Sequence, residues 1–337
     1  MKTTQINNRR YLGNKYKLLP FITSVVAEHC PDVTSVADMF AGTGAVASAF
    51  TDKRLITNDN LYSNYVSHLA WFSPEPYDPE KITELITNYN ALSVTDDNYM
   101  SRTFADTFFS RADCRKIGSV RADIETRHTA GELNARERAL LITSLLYAAD
   151  KIANTCGHYD AFRQGVAFEK QLELSVPTPV EQLHAENRCY NEDTNELIEH
   201  IAADLVYLDP PYNSRQYCDA YHLLENLARW AQPEVVGVAR KMDRQNLKSD
   251  YCTSKATAAF AALVEKIKAR YILLSYNNMA QKGNDRSNAK IADTDILRIL
   301  EAKGKVQTFT HTYKPFSAGK SDIGGHEERL FLCVCNG

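Results

Sequence analysis

An acid, two prolines and a tyrosine, Asp209-Pro210-Pro211-Tyr212, come directly after the apolar run Leu205-Val206-Tyr207-Leu208. The prolines fix the backbone and remove donors, so the turn is stiff and presents carbonyls. An acceptor-only carboxylate beside a rigid carbonyl and an aromatic ring suits an amine that must shed protons. Two acceptors draw the N–H groups of a conjugated amine towards tetrahedral geometry and free its lone pair for attack. The bland alternative is a strand ending in a proline-rich turn.

A second group lies upstream. Phe40-Ala41-Gly42-Thr43-Gly44 follows the apolar run Val33–Phe40, and Ala45–Phe50 reads as a helix start. Glycines there let the backbone turn tightly and approach a ligand closely. The next short run, Leu55–Asn58, ends at Asp59, where a doubly wound fold puts a carboxylate for ribose hydroxyls; a cap for a helix over Leu61–His68 is the simpler use. Ala47 stands where a dinucleotide site would carry its third glycine, which favours a ligand without a pyrophosphate, such as S-adenosylmethionine.

These groups need a scaffold. Val33–Phe40, Leu55–Asn58, Ala203–Leu208 and Tyr271–Tyr276 read as buried strands separated by helical patterns, and Val306–Tyr313 with Arg329–Cys335 as a terminal antiparallel pair. That alternation predicts an α/β fold with a mainly parallel sheet and ligands at the strand carboxyl ends. The interval from Ser73 to Arg188 opens and closes with prolines and is mostly helical, notably Ala135–Ala153. It is too long for one crossover. We therefore expect a catalytic domain of residues 1–74 and 186–337 and an inserted helical region, 75–185.

Bulk properties exclude more than they assign. No apolar run is long enough to span a membrane, and residues 1–5 are polar, so neither a signal peptide nor a membrane partner is expected. The eight cysteines are scattered without a CxxC pair, which argues against a metal site and for reduced thiols in a cytoplasmic protein. The net charge of -3 does not announce a nucleic-acid binder. Yet bases cluster in residues 1–20, among Arg102, Arg111, Arg115, Lys116, Arg121 and Arg127, and among Arg240, Lys241, Arg244, Lys248 and Lys255.

Tyr11-Leu12-Gly13-Asn14-Lys15, Phe40–Gly44 and Asp209–Tyr212, in that order, resemble the Dam-like, alpha-class DNA N6-adenine methyltransferases of restriction–modification systems. The continuation to Tyr217 resembles the modification enzymes of type II systems. The resemblance implies a Rossmann-like S-adenosylmethionine-dependent fold and a methyl group delivered to N6 of a flipped-out adenine in double-stranded DNA. It implies a target-recognition role for residues 75–185, and a cognate restriction endonuclease acting on the same site without stable binding. Asp209, Pro210, Pro211 and Tyr212 become catalytic. Tyr11, Gly13, Lys15, Asp38, Phe40, Gly42, Gly44, Asp59, Asp193 and Asp209 become cofactor-binding, with Tyr11 and Lys15 at the methionine end, Asp59 at the ribose and Asp193 at the adenine. Expected DNA contacts are Arg111, Arg115, Lys116, His158, Tyr159, Arg163, Arg215, Lys241, Arg244 and Lys248; Lys282–Lys290 and Lys314–Gly325 are expected to close over the substrate.

The alternatives are an RNA (ribosomal) adenine N6-methyltransferase and a catalytically silent DNA-binding protein. Cytosine C5 chemistry needs a nucleophilic cysteine, usually after proline, and the chain has no Pro-Cys dipeptide. Cytosine N4 enzymes usually carry serine at the position of Asp209, and protein glutamine methyltransferases asparagine.

Overall fold

The computed structural model describes residues 2–181, 183–277, 289–312 and 327–336. Seven strands form one sheet: β1 Ser35–Asp38, β2 Arg54–Asn58, β3 Arg188–Tyr190, β4 Leu205–Leu208, β5 Tyr271–Asn277, β6 Gly304–Thr312 and β7 Glu327–Cys335. Their order is β3-β2-β1-β4-β5-β7-β6. The first five run parallel, and β7 is antiparallel to both β5 and β6. This is the mainly parallel sheet with a terminal hairpin that the apolar runs predict.

The period of two sorts the strand residues. Ala37, Val206, Leu208, Ile272, Leu274 and Phe331 enter the core on one face of the sheet. Val36, Leu205, Tyr207, Leu273, Leu330 and Leu332 enter the core on the other. The strand carrying the glycine turn is bolted to the strand carrying the acid by Asp204. One of its carboxylate oxygens accepts from the amides and hydroxyls of both Thr34 and Ser35, at 2.7 to 3.0 Å. Burial alone would raise its pKa, but these four bonds hold it down to about 2.

The helices are α1 Leu19–His29, α2 Tyr62–Phe72, α3 Pro79–Ala91, α4 Tyr99–Phe104, α5 Arg111–Thr129, α6 Ala135–Ile152, α7 Thr194–Leu197, α8 Tyr217–Ala220, α9 His222–Arg229, α10 Ala256–Lys266 and α11 Asp293–Glu301. Local chemistry sets several ends. Asp78 caps α3 and a reciprocal Asn134–Glu137 box caps α6. Helix α2 has leucine at its N-cap; the buried Glu225 of α9 accepts from the Tyr62 and Ser63 amides instead, at 2.9 and 2.8 Å. A carboxylate at a helix N-terminus is favourable, so this contact fixes α2 against α9.

Residues from α3, α5 and α6 share a third core with α2 and α9. The structure differs from the sequence expectation in two places. The helix expected from Ala45 is a single 3-10 turn, Ala47–Phe50. Strand β3 was not expected: three residues in an acidic stretch give too short a pattern.

Candidate active site

Each parallel strand of the centre ends in a candidate residue. Asp38 closes β1, Asp59 follows β2 and Asp209 follows β4. They line one cavity of about 510 Å³ at the strand carboxyl ends. Also lining it are Tyr11, Gly13, Lys15, Phe40, Gly42, Asp193 and Pro211. Nine of the ten cofactor candidates thus share one space. Gly44 does not line it. Its φ is +85°, and a Cβ there would sit 2.8 Å from Phe72 Cε2, so this glycine lets the turn pack on α2.

The three carboxylates differ. Asp209 is paired with Lys15 at 2.8 Å, side chains 17% and 5% exposed. Burial raises the Asp209 pKa and Lys15 opposes the rise. Burial works to lower Lys15, but Asp209 and then Glu328 raise it above the ordinary value, so it stays charged. Asp59 accepts from the Gly42 and Leu61 amides, both at 2.8 Å, and so holds the glycine loop to the start of α2; burial raises it to about 6 against those bonds. Asp38 has no such support. It is 1% exposed, and among the described residues neither oxygen accepts a well-formed hydrogen bond. Burial, then the charge of Asp209, pushes its pKa to about 8, with the nearby Ala47 and Phe40 amides opposing.

Residues 9–15 form a strap between the glycine loop and the Asp209–Tyr212 turn. The Tyr11 ring stacks on Tyr221 at 4.6 Å and on Tyr217 at 5.4 Å. The Leu12 amide donates to Tyr221 Oη at 2.7 Å, and Tyr217 Oη donates to the Leu12 carbonyl at 3.2 Å. Gly13 has φ +73°, and a Cβ there would meet Tyr217 Oη at 3.0 Å. Underneath, the buried Arg9 donates to Asn64, which donates to Tyr11 Oη. His68 Nε2 lies 2.9 Å from the Gly42 carbonyl; burial lowers its pKa to about 4, so the neutral ring donates there. Arg9, Asn64, His68 and Tyr221 lie outside the motifs, and Tyr217 enters them only as the end of the Asp209–Tyr217 run.

Tyr212 stands edge-on to Tyr276 of β5 at 6.1 Å, with Lys15 Nζ 5.9 Å from its ring centre. Its carbonyl accepts from the Lys290 amide. Neither Tyr212 nor Pro210 is among the lining residues. At the far end Tyr251 meets Phe40 edge-on at 5.1 Å, beside Asp193 and Asn195. Asp193 also caps α7 through the Asn195 amide.

The expected DNA contacts divide. Arg215 and Lys248 are exposed and form no ion pair among the described residues, and Lys248 lines the cavity. Arg163 is exposed, with Nε 3.4 Å from Cys156 Sγ. The rest are engaged. Arg111 pairs with Asp106 at 2.8 Å and Arg115 with Asp97 at 2.8 Å; Lys116 donates to the Asn90 carbonyl. Lys241 pairs with Asp160 at 2.7 Å, Arg244 pairs with Asp219, and His158 Nδ1 lies 3.5 Å from Asp160. Tyr159 requires a correction. It is fully buried, packs against Phe108 and His222, and donates to Asp150 at 2.9 Å, so it presents nothing to a ligand outside. Residues 282–288 and 314–325, expected to close over a substrate, lie outside the described residues. Among the described residues no His, Cys, Asp and Glu group could hold a metal, and no helix is long and apolar enough to cross a membrane.

A parallel sheet ordered 3-2-1-4-5, with a glycine turn after β1 and a ligand cavity at the strand carboxyl ends, defines a Rossmann-like α/β protein. The chain belongs to the D12 class of N6 adenine-specific DNA methyltransferases, whose family pattern matches residues 11–286. It is 37% identical over 313 residues to the modification methylase StsI of Streptococcus sanguinis, covering 87% of this chain and 46% of that protein. It is 30% identical over 342 residues to the modification methylase LlaI of Lactococcus lactis subsp. lactis, covering 95% and 53%. The type II methyltransferase M.NlaIII of Neisseria lactamica is 30% identical over 329 residues, covering 94% and 95%. The chain therefore spans about half the length of the first two relatives and nearly all of the third.

Proposed function

We propose that this chain is a site-specific methyltransferase acting on N6 of adenine in double-stranded DNA, with S-adenosylmethionine as donor. The observation that carries the reading is the Asp209–Pro210–Pro211–Tyr212 turn at a cavity that also holds Asp38, an acid buried without a well-formed hydrogen bond.

The cavity fits the donor. Its volume is in the range of small-ligand sites. The unpartnered Asp38 carboxylate suits an ammonium group, Asp59 retains lone pairs for ribose hydroxyls, and Phe40 with Tyr251 provides apolar walls for an adenine ring beside Asp193. Gly13 and Gly42 keep the wall thin, and Tyr11 and Lys15 stand at the methionine end. When bound, this cofactor supplies an electrophilic methyl group on a sulfonium.

The chain's own residues do the rest. Asp209 and the Pro210 carbonyl accept the two N6 hydrogens and turn the lone pair towards the methyl group. Lys15 opposes the rise that burial imposes on the Asp209 pKa and so favours its ionised, accepting form. Tyr212 stacks on the target base after it leaves the duplex. Arg215 and Lys248 meet phosphates at the cavity rim. Residues 1–74 and 186–337 make up the catalytic unit and 75–185 the target-recognition unit. The relatives named as modification methylases support a protective role against a cognate restriction endonuclease that shares the site without stable binding, in the cytoplasm.

The test is direct. The protein is incubated with labelled S-adenosylmethionine and either genomic DNA or total RNA, and the nucleic acid is digested to nucleosides. Label in N6-methyldeoxyadenosine is expected. Label from RNA alone, or in a methylated cytosine, would overturn the assignment.

A further inference from the structure

The two most exposed large apolar side chains among the described residues are neighbours: Val236 at 71% and Val238 at 76%. They belong to a tight hairpin. The Val236 amide donates to the Lys241 carbonyl at 2.8 Å, the Lys241 amide returns the bond at 3.0 Å, and the Arg240 amide closes the turn on the Gly237 carbonyl. Gly237 has φ +72°, and a Cβ there would meet nothing within 4 Å, so the tip stands clear of the protein.

The base of the hairpin is fixed. Val235 packs on the helical core, the Pro233 carbonyl accepts from Tyr99 Oη at 2.8 Å, and Lys241 is clamped by Asp160. Trp230, Gln232 and Arg240 have φ of 58°, 52° and 52°. Trp230 closes α9 in the left-handed conformation common at helix ends, whereas left-handed backbone at Gln232 and Arg240 is costly and persists only where the surroundings enforce it. A rigid stalk that holds valines out in water has no use in the folded chain itself.

Charge and position indicate what it meets. Arg240 at the tip and Lys248 and Arg215 nearer the cavity form no ion pair among the described residues. Six and seven residues after Lys241, Leu247 and Lys248 line the cavity. An apolar tip with one free guanidinium, and two further free cations towards the cavity, matches a duplex in spite of the exposed Glu234 at the hairpin's base; a duplex is apolar between its base steps and anionic outside. A twofold contact between copies through the tip would instead bring two Arg240 guanidinium groups together, which like-charge repulsion disfavours.

We infer that the Val236–Lys241 hairpin is a wedge: Val238, with Val236 beside it, enters the base stack next to the target adenine while Arg240 holds a flanking phosphate. The inference rests on the DNA-methylation reading above. It assigns the hairpin the work of unstacking, separate from the chemistry at Asp209.

The test uses the full chain and the doubly substituted Val236→Ser, Val238→Ser protein, whose exposed positions leave the core intact; unchanged thermal unfolding and unchanged S-adenosylmethionine affinity check this. The substrates are a duplex oligonucleotide carrying a site methylated in genomic DNA, and the same duplex with an abasic position opposite the target adenine, which lowers the cost of extruding it. The variant should lose about tenfold or more in kcat/KM on the intact duplex and less than about twofold on the abasic one. Val238→Leu should keep most of the activity. Equal losses on both substrates, or no loss, would overturn the wedge while the wild-type activity left the methyltransferase reading standing. A concentration-dependent dimer that the variant abolishes would also overturn it. A wild-type protein inactive on all DNA would remove the function reading, and the wedge with it.

Discussion

Asp209 and Asp38 end neighbouring parallel strands, and both are buried acids facing the same cavity, yet their surroundings are opposite. Asp209 has a lysine at 2.8 Å; Asp38 has no well-formed hydrogen bond among the described residues. A buried carboxylate with a cation is ready to accept a proton or hydrogen bond at neutral pH. One without a partner is held neutral until a ligand brings positive charge. In the proposed mechanism the first serves the chemistry and the second the capture of the donor, whose binding would complete an unsatisfied group.

The largest expected effect comes from breaking the paired side. Asp209→Ala should lower kcat by about a thousandfold or more, as loss of a central acceptor does, with S-adenosylmethionine affinity kept within about fivefold. Single-turnover kinetics and equilibrium dialysis read the two quantities; near-normal turnover would remove Asp209 from the mechanism. Lys15→Ala follows, with a loss of about a hundredfold. Without the ammonium, burial raises the Asp209 pKa further, so the acid limb of the kcat profile should move to higher pH. Lys15→Arg should move it part of the way back. An unshifted limb would show that Lys15 serves only binding.

The unpaired side gives a smaller but more specific signal. With its pKa near 8, Asp38 carries a proton at neutral pH in the ligand-free protein, and an arriving ammonium expels it. Binding of S-adenosylmethionine should release up to one proton and strengthen as pH rises from about 6 to about 7.5. Calorimetry in buffers of different ionisation enthalpy measures this. Asp38→Asn should abolish the release and weaken binding by about ten- to a hundredfold, since a charge-assisted hydrogen bond is lost. The linkage sign gives a companion result. An acid whose folded pKa is raised loses stability as pH climbs from its unfolded value towards 8, so the ligand-free Asn variant should be the more stable one at pH 8.

The smallest effect compares free with committed cations. Lys248→Ala should reduce the salt slope of DNA binding by about one, as expected when one phosphate contact is lost. Arg111→Ala, already paired with Asp106, should leave the slope unchanged. Equal slopes in titrations across salt concentrations would mean that ion pairing in the free protein does not sort the DNA contacts.

Local pattern accounts for what was legible in the sequence. Short apolar runs exposed β1, β2, β4 and β5, and the tetrapeptide and glycine turn marked two walls of the cavity. Contacts between distant segments account for what was not. Nothing near Tyr11 announces that Tyr217 and Tyr221 will stack on it, and nothing near Leu61 that Glu225 will cap α2. Tyr159 misled because its neighbours, Gly157, His158, Asp160 and Arg163, have a surface composition; only the packing of α6 against α9 leaves room for its ring inside. The paired state of Lys241 and Arg244 likewise depends on Asp160 and Asp219, 81 and 25 residues away.

The strap bears on the order of assembly. Leu12 is fastened to Tyr217 and Tyr221 across separations of 205 and 209 residues. Closing a loop of that size costs on the order of 5 kcal/mol of chain entropy, which a few bonds and stacked rings offset only once the rest of the sheet is in place. Lys15 therefore reaches Asp209 late. A ribosome-bound chain that has not yet released residue 221 has its glycine turn but no completed Lys15–Asp209 pair. On the proposed function, competence to modify DNA would begin abruptly, once the segment carrying residue 221 docks on the strap, and not gradually as the chain emerges.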